Sequence, residues 1–286
     1  MREFFAIDIG GTSIKYGIVN EIGEIIYSNS VNTDVSKGSE YIMETIIDIV
    51  NTMKLKNTHI KHLGISSAGV IDNEGIVLYA GYTIPNYTNT NIKNILEKAT
   101  GMIVEVENDV NCALLGEKWI GSGSNCKDFV MITIGTGIGG AICIDDKLYK
   151  GINFCAGEVG YMKVRGEDFQ LKASTKSLVD NVKCELNLTD LDGEQVFELE
   201  KTNRNVEKIV NDFYDCLAEG INNISCIINP EKIIIGGGII NNRNFESRLK
   251  SSFNKYTDDV RIKNELINIA KLGNNAGMIG SIVKFL

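Results

Sequence analysis

The sequence lacks several features that would place it in common classes of protein. It has no apolar run of about 18 residues, the length that a membrane-spanning helix needs, and its first residues run into a strand-like segment without a signal-peptide core. Lys and Arg number 29 against 37 Asp and Glu, a net charge of -8, whereas surfaces that bind nucleic acids or anionic membranes are basic. We therefore expect a cytoplasmic protein with neither nucleic acid nor membrane as a partner.

Metal-binding and disulfide patterns are also missing. The seven cysteines are odd in number, and no two of them form C-x-x-C, so we interpret them as reduced thiols. The only histidines are His59 and His62, three residues apart in a polar stretch with no carboxylate or cysteine at ligand spacing. Loop histidines exposed to water are therefore favoured over a metal site.

What the chain does have is enough apolar sequence for a full core. It has 286 residues, 43% of them hydrophobic, which allows one large domain or two of ordinary size. Hairpin-like strands followed by helices occur twice, around 4–53 and around 129–183, with no low-complexity linker. We predict two related α/β domains, 1–115 and 116–272, that face each other across a cleft. The closing helix, 273–286, is expected to pack back on the first.

The central stretch runs from Glu105 to Gly140. A polar tripeptide, Glu107-Asn108-Asp109, follows an apolar run and precedes a helix pattern that continues to Ile120. A second apolar run, Phe129 to Ile134, then ends in a glycine-rich turn. A carboxylate near a loop suited to oxyanions is what phosphoryl transfer to a hydroxyl requires. From spacing alone Asp109 is equally a general base or the N-cap of the helix.

Glycine turns end three apolar strands, at residues 10–11, 135–140 and 236–238. Their backbone N–H groups, free of side-chain bulk, can approach a phosphate closely, although the first turn alone could be only a tight hairpin. Residues 135–140 also match G-x-G-x-x-G. The dinucleotide fingerprint needs a helix that opens at the glycines, and here a strand and a hairpin are predicted, so we reject it.

Two further loops carry candidate ligand contacts. Asn86 lies in the loop 81–90, at a position typical of binding residues, although an Asx-turn explains it equally well. Glu158 lies in the glycine-punctuated loop 151–161. It could bind a sugar hydroxyl or form an ion pair with a nearby lysine.

Taken together, these motifs resemble the ROK sugar kinases, which have the actin-like, hexokinase-type (ribonuclease H-like) ATPase fold with two domains and mixed sheets. The resemblance is collinear over nearly the whole chain. It rests on Asp8-Ile9-Gly10-Gly11-Thr12, Glu107-Asn108-Asp109, Ile134 to Gly140, Ala156-Gly157-Glu158 and Ile235-Gly236-Gly237-Gly238. ROK repressors carry an N-terminal helix-turn-helix domain; because the first strand begins at Phe4, we expect the kinase branch.

The resemblance implies an ATP-dependent kinase that uses Mg²⁺ and forms a homodimer. Asp109 would be the catalytic base, and Asp8 would bind the metal indirectly. The implied sugar contacts are Gly69, Asn86, Asn108, Asp109, Glu158 and Tyr161. The implied nucleotide contacts are Gly10, Gly11, Thr12, Lys15, Thr136, Gly137, Gly236, Gly237 and Gly238.

The chain departs from the family pattern in one segment. Tyr161 stands where most members have a histidine, Gln170 stands where a glutamate would align, and no cysteine lies between Cys155 and Cys184. We therefore expect no zinc site and no stoichiometric zinc. Zinc-less members include N-acetylmannosamine kinases and β-glucoside kinases of low-GC bacteria. We predict transfer to the 6-hydroxyl of a hexose or N-acetylhexosamine, with N-acetylmannosamine first. A β-glucoside kinase or glucokinase is the alternative, and a sugar-sensing protein without turnover comes third.

Overall fold

The computed structural model describes residues 1–81, 84–256 and 264–286. The chain divides into two compact units. Unit 1 comprises Met1–Ser124, Lys150–Ala156 and Asn275–Leu286, and unit 2 comprises Asn125–Tyr149 and Gly157–Asn274. Among the helices described, none is long and apolar enough to cross a membrane.

Unit 1 is built on a five-stranded mixed sheet. Its strands are β1 (Glu3–Ile9), β2 (Ser13–Asn20), β3 (Ile25–Asn32), β4 (His62–Ser67) and β7 (Ile103–Asn108), with a small hairpin of β5 (Val70–Ile71) and β6 (Val77–Tyr79). The sheet order is β3-β2-β1-β4-β7. β2 pairs antiparallel with both β1 and β3, and β4 and β7 lie parallel to β1. The predicted N-terminal hairpins are thus confirmed.

Unit 2 repeats this strand pattern. Its strands are β8 (Phe129–Ile134), β9 (Ile138–Ile144), β10 (Lys147–Tyr149), β13 (Lys232–Gly236) and β14 (Ile267–Ile269), with a hairpin of β11 (Lys163–Val164) and β12 (Glu167–Asp168). The order is β10-β9-β8-β13-β14, with β8, β13 and β14 parallel. The prediction of two related α/β halves therefore matches the strand orders. The parallel strands β8 and β13 read as near-continuous apolar runs because parallel strands are covered on both faces.

The helices cover these sheets and complete two separate cores. They are α1 (Gly38–Lys56), α2 (Ile92–Thr100), α3 (Asp109–Ile120), α4 (Phe169–Ala173), α5 (Thr175–Leu186), α6 (Gly193–Glu200), α7 (Arg204–Ile228), α8 (Phe245–Phe253) and α9 (Ala276–Ser281). α7 places Phe213, Leu217, Ile221 and Ile224 in the core of unit 2 at the predicted helical spacing.

The closing helix is shorter than the sequence predicts. The pattern indicated a helix from Ala276 to Phe285, but α9 ends at Ser281 and a 3₁₀ turn, Val283–Phe285, follows. α9 packs on α3, where a Cβ on Gly280 would overlap the backbone of Cys112. Only glycine permits so close an approach. The tighter final turn directs the side chain of Lys284 to the carboxylate of Glu107, 3.0 Å away.

Candidate active site

Asp8 lies at the end of β1, just before the first glycine turn. Its Oδ1 accepts a 2.6 Å hydrogen bond from Ser66 Oγ on the neighbouring strand β4, and its Oδ2 is 4.0 Å from Lys15 Nζ. Burial raises the pKa of the Asp8 carboxyl, while Ser66 and Lys15 oppose that shift. The turn itself is closed by a 3.0 Å hydrogen bond from Gly10 N to the Ser13 carbonyl.

These residues fit an indirectly bound Mg²⁺. This ion usually keeps several waters and takes one or two carboxylates together with substrate phosphates, and Asp8 supplies one carboxylate held in place by Ser66. The residues described contain no cluster of three or more histidine, cysteine or acidic side chains around one point.

Asn108 caps α3 and fixes the carboxylate that follows it. Its Oδ1 accepts hydrogen bonds from Val110 N (2.9 Å) and Asn111 N (3.0 Å). Its Nδ2 donates to the Gly69 carbonyl and to Asp109 Oδ1, both at 2.9 Å. The alternative that Asp109 is the N-cap is therefore wrong: Asn108 is the cap, and Asp109 is the first helical residue. With its amide engaged four times, Asn108 positions Asp109; its own contact with a sugar stays a prediction.

Tyr87, and not Asn86, points into unit 1 from the loop that the sequence singled out. Asn86 is exposed and has a left-handed backbone (φ 57°), whereas the buried Tyr87 hydroxyl lies 2.8 Å from Ser67 Oγ. Burial, with the nearby charge of Asp109, raises the pKa of Tyr87 to about 12, although Ser67 lowers it. Tyr87 thus stays a neutral hydroxyl. The sequence signal was an aromatic residue between two polar neighbours, Asn86 and Thr88.

The second glycine turn joins β8 to β9 in unit 2. Gly135 N donates to the Gly137 carbonyl at 2.9 Å, and the Gly135 carbonyl accepts from Lys176 N, at the start of α5, at 3.3 Å. A strand follows the glycines, which confirms the rejection of a dinucleotide fingerprint. Gly137 lies against Gln170, whose Oε1 would be 2.8 Å from a Cβ at that position.

The third glycine turn follows β13 and packs on the strand beside it. Gly237 has φ 98°, and a Cβ there would overlap the backbone carbonyl of Ile134. Gly236 and Gly237 are thus fixed against neighbouring strands, while Gly238 borders open space.

A cavity of about 1220 Å³ in unit 2 is bordered by both of these turns. Gly135 and Thr136 line it from one turn, and Gly238 lines it from the other. Gly137, Gly236 and Gly237, which were predicted with them, are absent from the lining described. The wall also carries an apolar strip, Val179, Phe197 and Ile239, five basic side chains, Lys176, Lys183, Lys201, Arg243 and Arg248, and five acidic ones, Asp180, Asp192, Glu194, Glu198 and Glu200. Three of the basic side chains, Lys176, Lys201 and Arg248, form ion pairs with acidic residues of the same wall.

Thr175 is a cavity residue that the sequence did not reveal. It is the first residue of α5, and its Oγ1 is shielded from water and has no hydrogen-bond partner among the residues described. A buried hydroxyl without a partner needs an explanation. Because water does not reach this oxygen, a ligand in the cavity supplies the partner only if the Thr175 side chain turns toward it. Phe197 and α6 were also missed as lining, because only the fold brings them beside the glycine turns.

Glu158 and Tyr161 lie at the two ends of a short 3₁₀ turn in unit 2. Tyr161 N donates to the Glu158 carbonyl at 3.3 Å, and the Tyr161 side chain is exposed. Although Glu158 keeps exposed surface, partial removal from water raises the pKa of its carboxyl. The alternative of an ion pair with a lysine finds no support among the ion pairs described. A sugar contact stays a prediction.

The segment after Tyr161, which departs from the family pattern, is a compact hairpin pinned to a helix. Arg165 lies between β11 and β12, and its guanidinium contacts Asp212 at 2.6 Å and Glu219 at 2.9 Å on α7. Gln170 follows on α4 and touches the glycine turn as described above. Ion pairs between protein side chains thus hold this segment to α7.

The chain matches the model of the ROK family over residues 4–285. It is 34% identical to a β-glucoside kinase of Listeria monocytogenes, over 98% of this chain and 96% of that protein. A Listeria monocytogenes structure described only provisionally as an N-acetylmannosamine kinase superposes with a TM-score of 0.89 at 31% identity, covering 99% and 98% of the two chains. A Streptomyces griseus ROK glucokinase in complex with glucose and AMPPNP superposes with a TM-score of 0.85 at 26% identity, covering 98% and 97%.

The chain therefore belongs to the ROK family. The predicted family and the predicted actin-like ATPase fold are confirmed. The predicted enzyme class, a carbohydrate kinase, is the class of these relatives and is confirmed at that level.

Proposed function

We propose that this protein transfers the γ-phosphoryl group of ATP to the 6-hydroxyl of a hexose or N-acetylhexosamine. One observation carries the proposal. Two glycine turns about 100 residues apart in sequence border a single cavity large enough for a nucleotide. The first was predicted as a phosphate loop and the second as a contact of the adenosine. Ligand cavities of 300–1,000 Å³ are typical, so about 1220 Å³ leaves room for a triphosphate.

In unit 2 the chemistry of the cavity suits each part of ATP. Backbone N–H groups of the glycine turns complement the phosphates. The strip of Val179, Phe197 and Ile239 offers an apolar surface for the base. The Thr175 hydroxyl, which has no hydrogen-bond partner among the residues described, offers a hydrogen bond once its side chain turns toward the ligand. Of the nucleotide contacts implied by the resemblance, Thr136 and Gly238 would touch the ligand directly. Gly10, Gly11, Thr12 and Lys15 stay nucleotide contacts predicted from the resemblance.

Asp109 is the proposed general base. A sugar hydroxyl is a poor nucleophile at neutral pH, and a carboxylate within hydrogen-bond reach can accept its proton as the phosphoryl group is transferred. The Asn108 amide and the first turn of α3 hold Asp109 Oδ1 in one orientation. The start of the helix also favours a negative charge there. Asp8 would hold Mg²⁺ through water, and the ion would neutralise charge on the phosphates.

N-acetylmannosamine is our first candidate for the acceptor sugar. The similarity to the Listeria structure described provisionally as an N-acetylmannosamine kinase supports this choice. The similarity to a β-glucoside kinase over 98% of the chain supports a β-glucoside as the second candidate. Around either sugar, Gly69, Asn86, Asn108, Glu158 and Tyr161 are the proposed contacts. We further propose a cytoplasmic homodimer.

The test is ADP release with Mg-ATP across a panel of N-acetylmannosamine, N-acetylglucosamine, glucose and cellobiose. The proposal predicts the highest kcat/KM on N-acetylmannosamine, and a 6-phosphate product identified by NMR. If kcat/KM were highest on cellobiose, the proposed acceptor would change to a β-glucoside, while the proposal of a kinase would stand. If calorimetry showed sugar binding but no ADP were released with any sugar, the proposed kinase activity would be refuted and a sugar-sensing protein would be favoured.

A further inference from the structure

Glu107 is a buried carboxylate that directly precedes Asn108 and Asp109 in the chain, and the proposed mechanism does not use it. Only 2% of the residue is exposed. Its Oε1 accepts hydrogen bonds from Asn108 N (3.0 Å) and Asn111 Nδ2 (2.9 Å), so it shapes the turn that carries Asn108 and Asp109. Its Oε2 lies 3.0 Å from two ammonium groups, those of Lys150 and Lys284.

This carboxylate is charged at neutral pH. Burial by itself raises the pKa of Glu107, but Lys284 and Lys150, together with the hydrogen bonds, outweigh burial and hold it below its usual value. One negative charge thus faces two positive ones in a protected site. A single lysine would neutralise it, and removing a second ammonium from water costs free energy, so the second lysine calls for a reason.

The two lysines come from different parts of the chain, and each holds a different segment in place. Lys284 belongs to the last 3₁₀ turn, and its Nζ also lies 3.3 Å from the Val106 carbonyl and 3.9 Å from Glu105. It therefore anchors the C-terminal turn to β7. Nothing in these contacts reaches toward Asn108 or Asp109 except through Glu107.

Lys150 opens the segment 150–156, which belongs to unit 1 and leads in sequence to Gly157 and Glu158. The Lys150 carbonyl accepts a 3.0 Å hydrogen bond from Ala156 N, which closes the segment into a ring. The Lys150 Nζ lies over the aromatic ring of Phe154, 5.0 Å from its centre, a cation–π contact within the same segment. Only 13% of the Lys150 side chain is exposed. The same ammonium that organises the segment therefore fastens it to Glu107.

We propose that Lys150 is a positioning residue for the sugar. Through Glu107 it fixes the 150–156 segment against the turn that presents Asn108 and Asp109, so that the acceptor meets a preformed site. The inference rests on the proposed function, because it takes Asp109 as the base. Lys284, which shares the same carboxylate, serves stability alone.

The two lysines give a matched pair of variants, Lys150→Met and Lys284→Met. Each removes one ammonium and leaves Glu107 paired with the other, so both are expected to fold, whereas Glu107→Gln could fail to. For Lys150→Met we expect kcat/KM for the sugar to fall about 10–100-fold, since small displacements of reacting groups cost that much. The KM for ATP should stay within about twofold, because the nucleotide cavity belongs to unit 2. For Lys284→Met, kcat and both KM values should stay within about twofold while Tm falls.

Hydrogen exchange supplies a readout that does not need turnover. Lys150→Met should accelerate amide exchange across 150–158 and at 107–111, and Lys284→Met should accelerate it at 283–286 only. A sugar kcat/KM for Lys150→Met within about twofold of wild type would overturn the inference. So would equal losses of kcat/KM in both variants, or unchanged exchange at 150–158 in Lys150→Met. A wild-type protein that releases no ADP with any sugar would instead refute the proposed function, and the exchange experiment would still decide the role of Lys150 in the segment.

Discussion

Replacing Asp109 with asparagine separates catalysis from helix stability, because the cap of α3 is a different residue. Asp109 Oδ1 accepts hydrogen bonds from Asn108 Nδ2 and Val110 N, each at 2.9 Å. The side-chain oxygen of an asparagine can accept both. What the substitution removes is the negative charge and the capacity to take a proton. A positioned general base contributes about 10²–10⁴-fold, so kcat should fall at least about a hundredfold while the sugar KM changes little.

The cost in stability follows from the same contacts. The two capping hydrogen bonds to Asn108 Oδ1 remain, so the helix loses only the interaction of one carboxylate with its N-terminus, about 0.3–1 kcal/mol. For a chain of this size that corresponds to a fall in Tm of about 0.5–2 °C. Steady-state ADP release at saturating ATP and a thermal melt measure the two effects.

Glu207→Gln is the matched control. Glu207 is an exposed acidic residue in the first turn of α7, away from the cavity, so the change removes the same charge from a helix start. Its kcat should stay within about twofold of wild type. If Asp109→Asn kept kcat within tenfold of wild type, Asp109 would not be the base.

Two further predictions address the cavity and the buried carboxylate. Thr175→Val should raise the KM for ATP about 2–10-fold, the effect of losing one net hydrogen bond of about 0.5–1.5 kcal/mol. Thr175→Ser keeps the hydroxyl and should leave the KM for ATP unchanged. Equal KM values for the two variants would remove Thr175 from the nucleotide site. Glu107→Gln should lower the free energy of unfolding in urea by about 3–5 kcal/mol at pH 7, the range for removing one partner of a buried ion pair. Because folding lowers the pKa of Glu107, its contribution is complete above the ordinary value of 4.5 and is lost as pH falls through the lower folded value; a difference between variant and wild type that did not shrink on acidification would contradict this.

Local pattern predicted the elements well where one physical rule dominated. Phe129–Ile134 was recognised as a strand from its apolar run, and the long periodic segment predicted over 205–228 is α7, Arg204–Ile228. Prediction was weaker where neighbouring residues compete for one role. Asn108 and Asp109 are both good caps, and only the hydrogen bonds of the folded chain assign that role to Asn108. Similarly, the sequence singled out Asn86 in its loop, and only the fold shows that the neighbouring Tyr87 is the buried residue.

The sequence by itself determined the family, the strand–glycine turns and the acidic residue proposed as base, because each is a short contiguous pattern set by backbone geometry. Only the tertiary structure decided which turn residues open into the cavity, that Thr175 lines it with a hydroxyl that no described residue satisfies, and how Glu107 is neutralised. Those features depend on side chains far apart along the chain, such as Glu107 with Lys150 and Lys284. Spacing in the sequence carries no signal for such pairs, since they are brought together only when the sheet and the helices around it have packed.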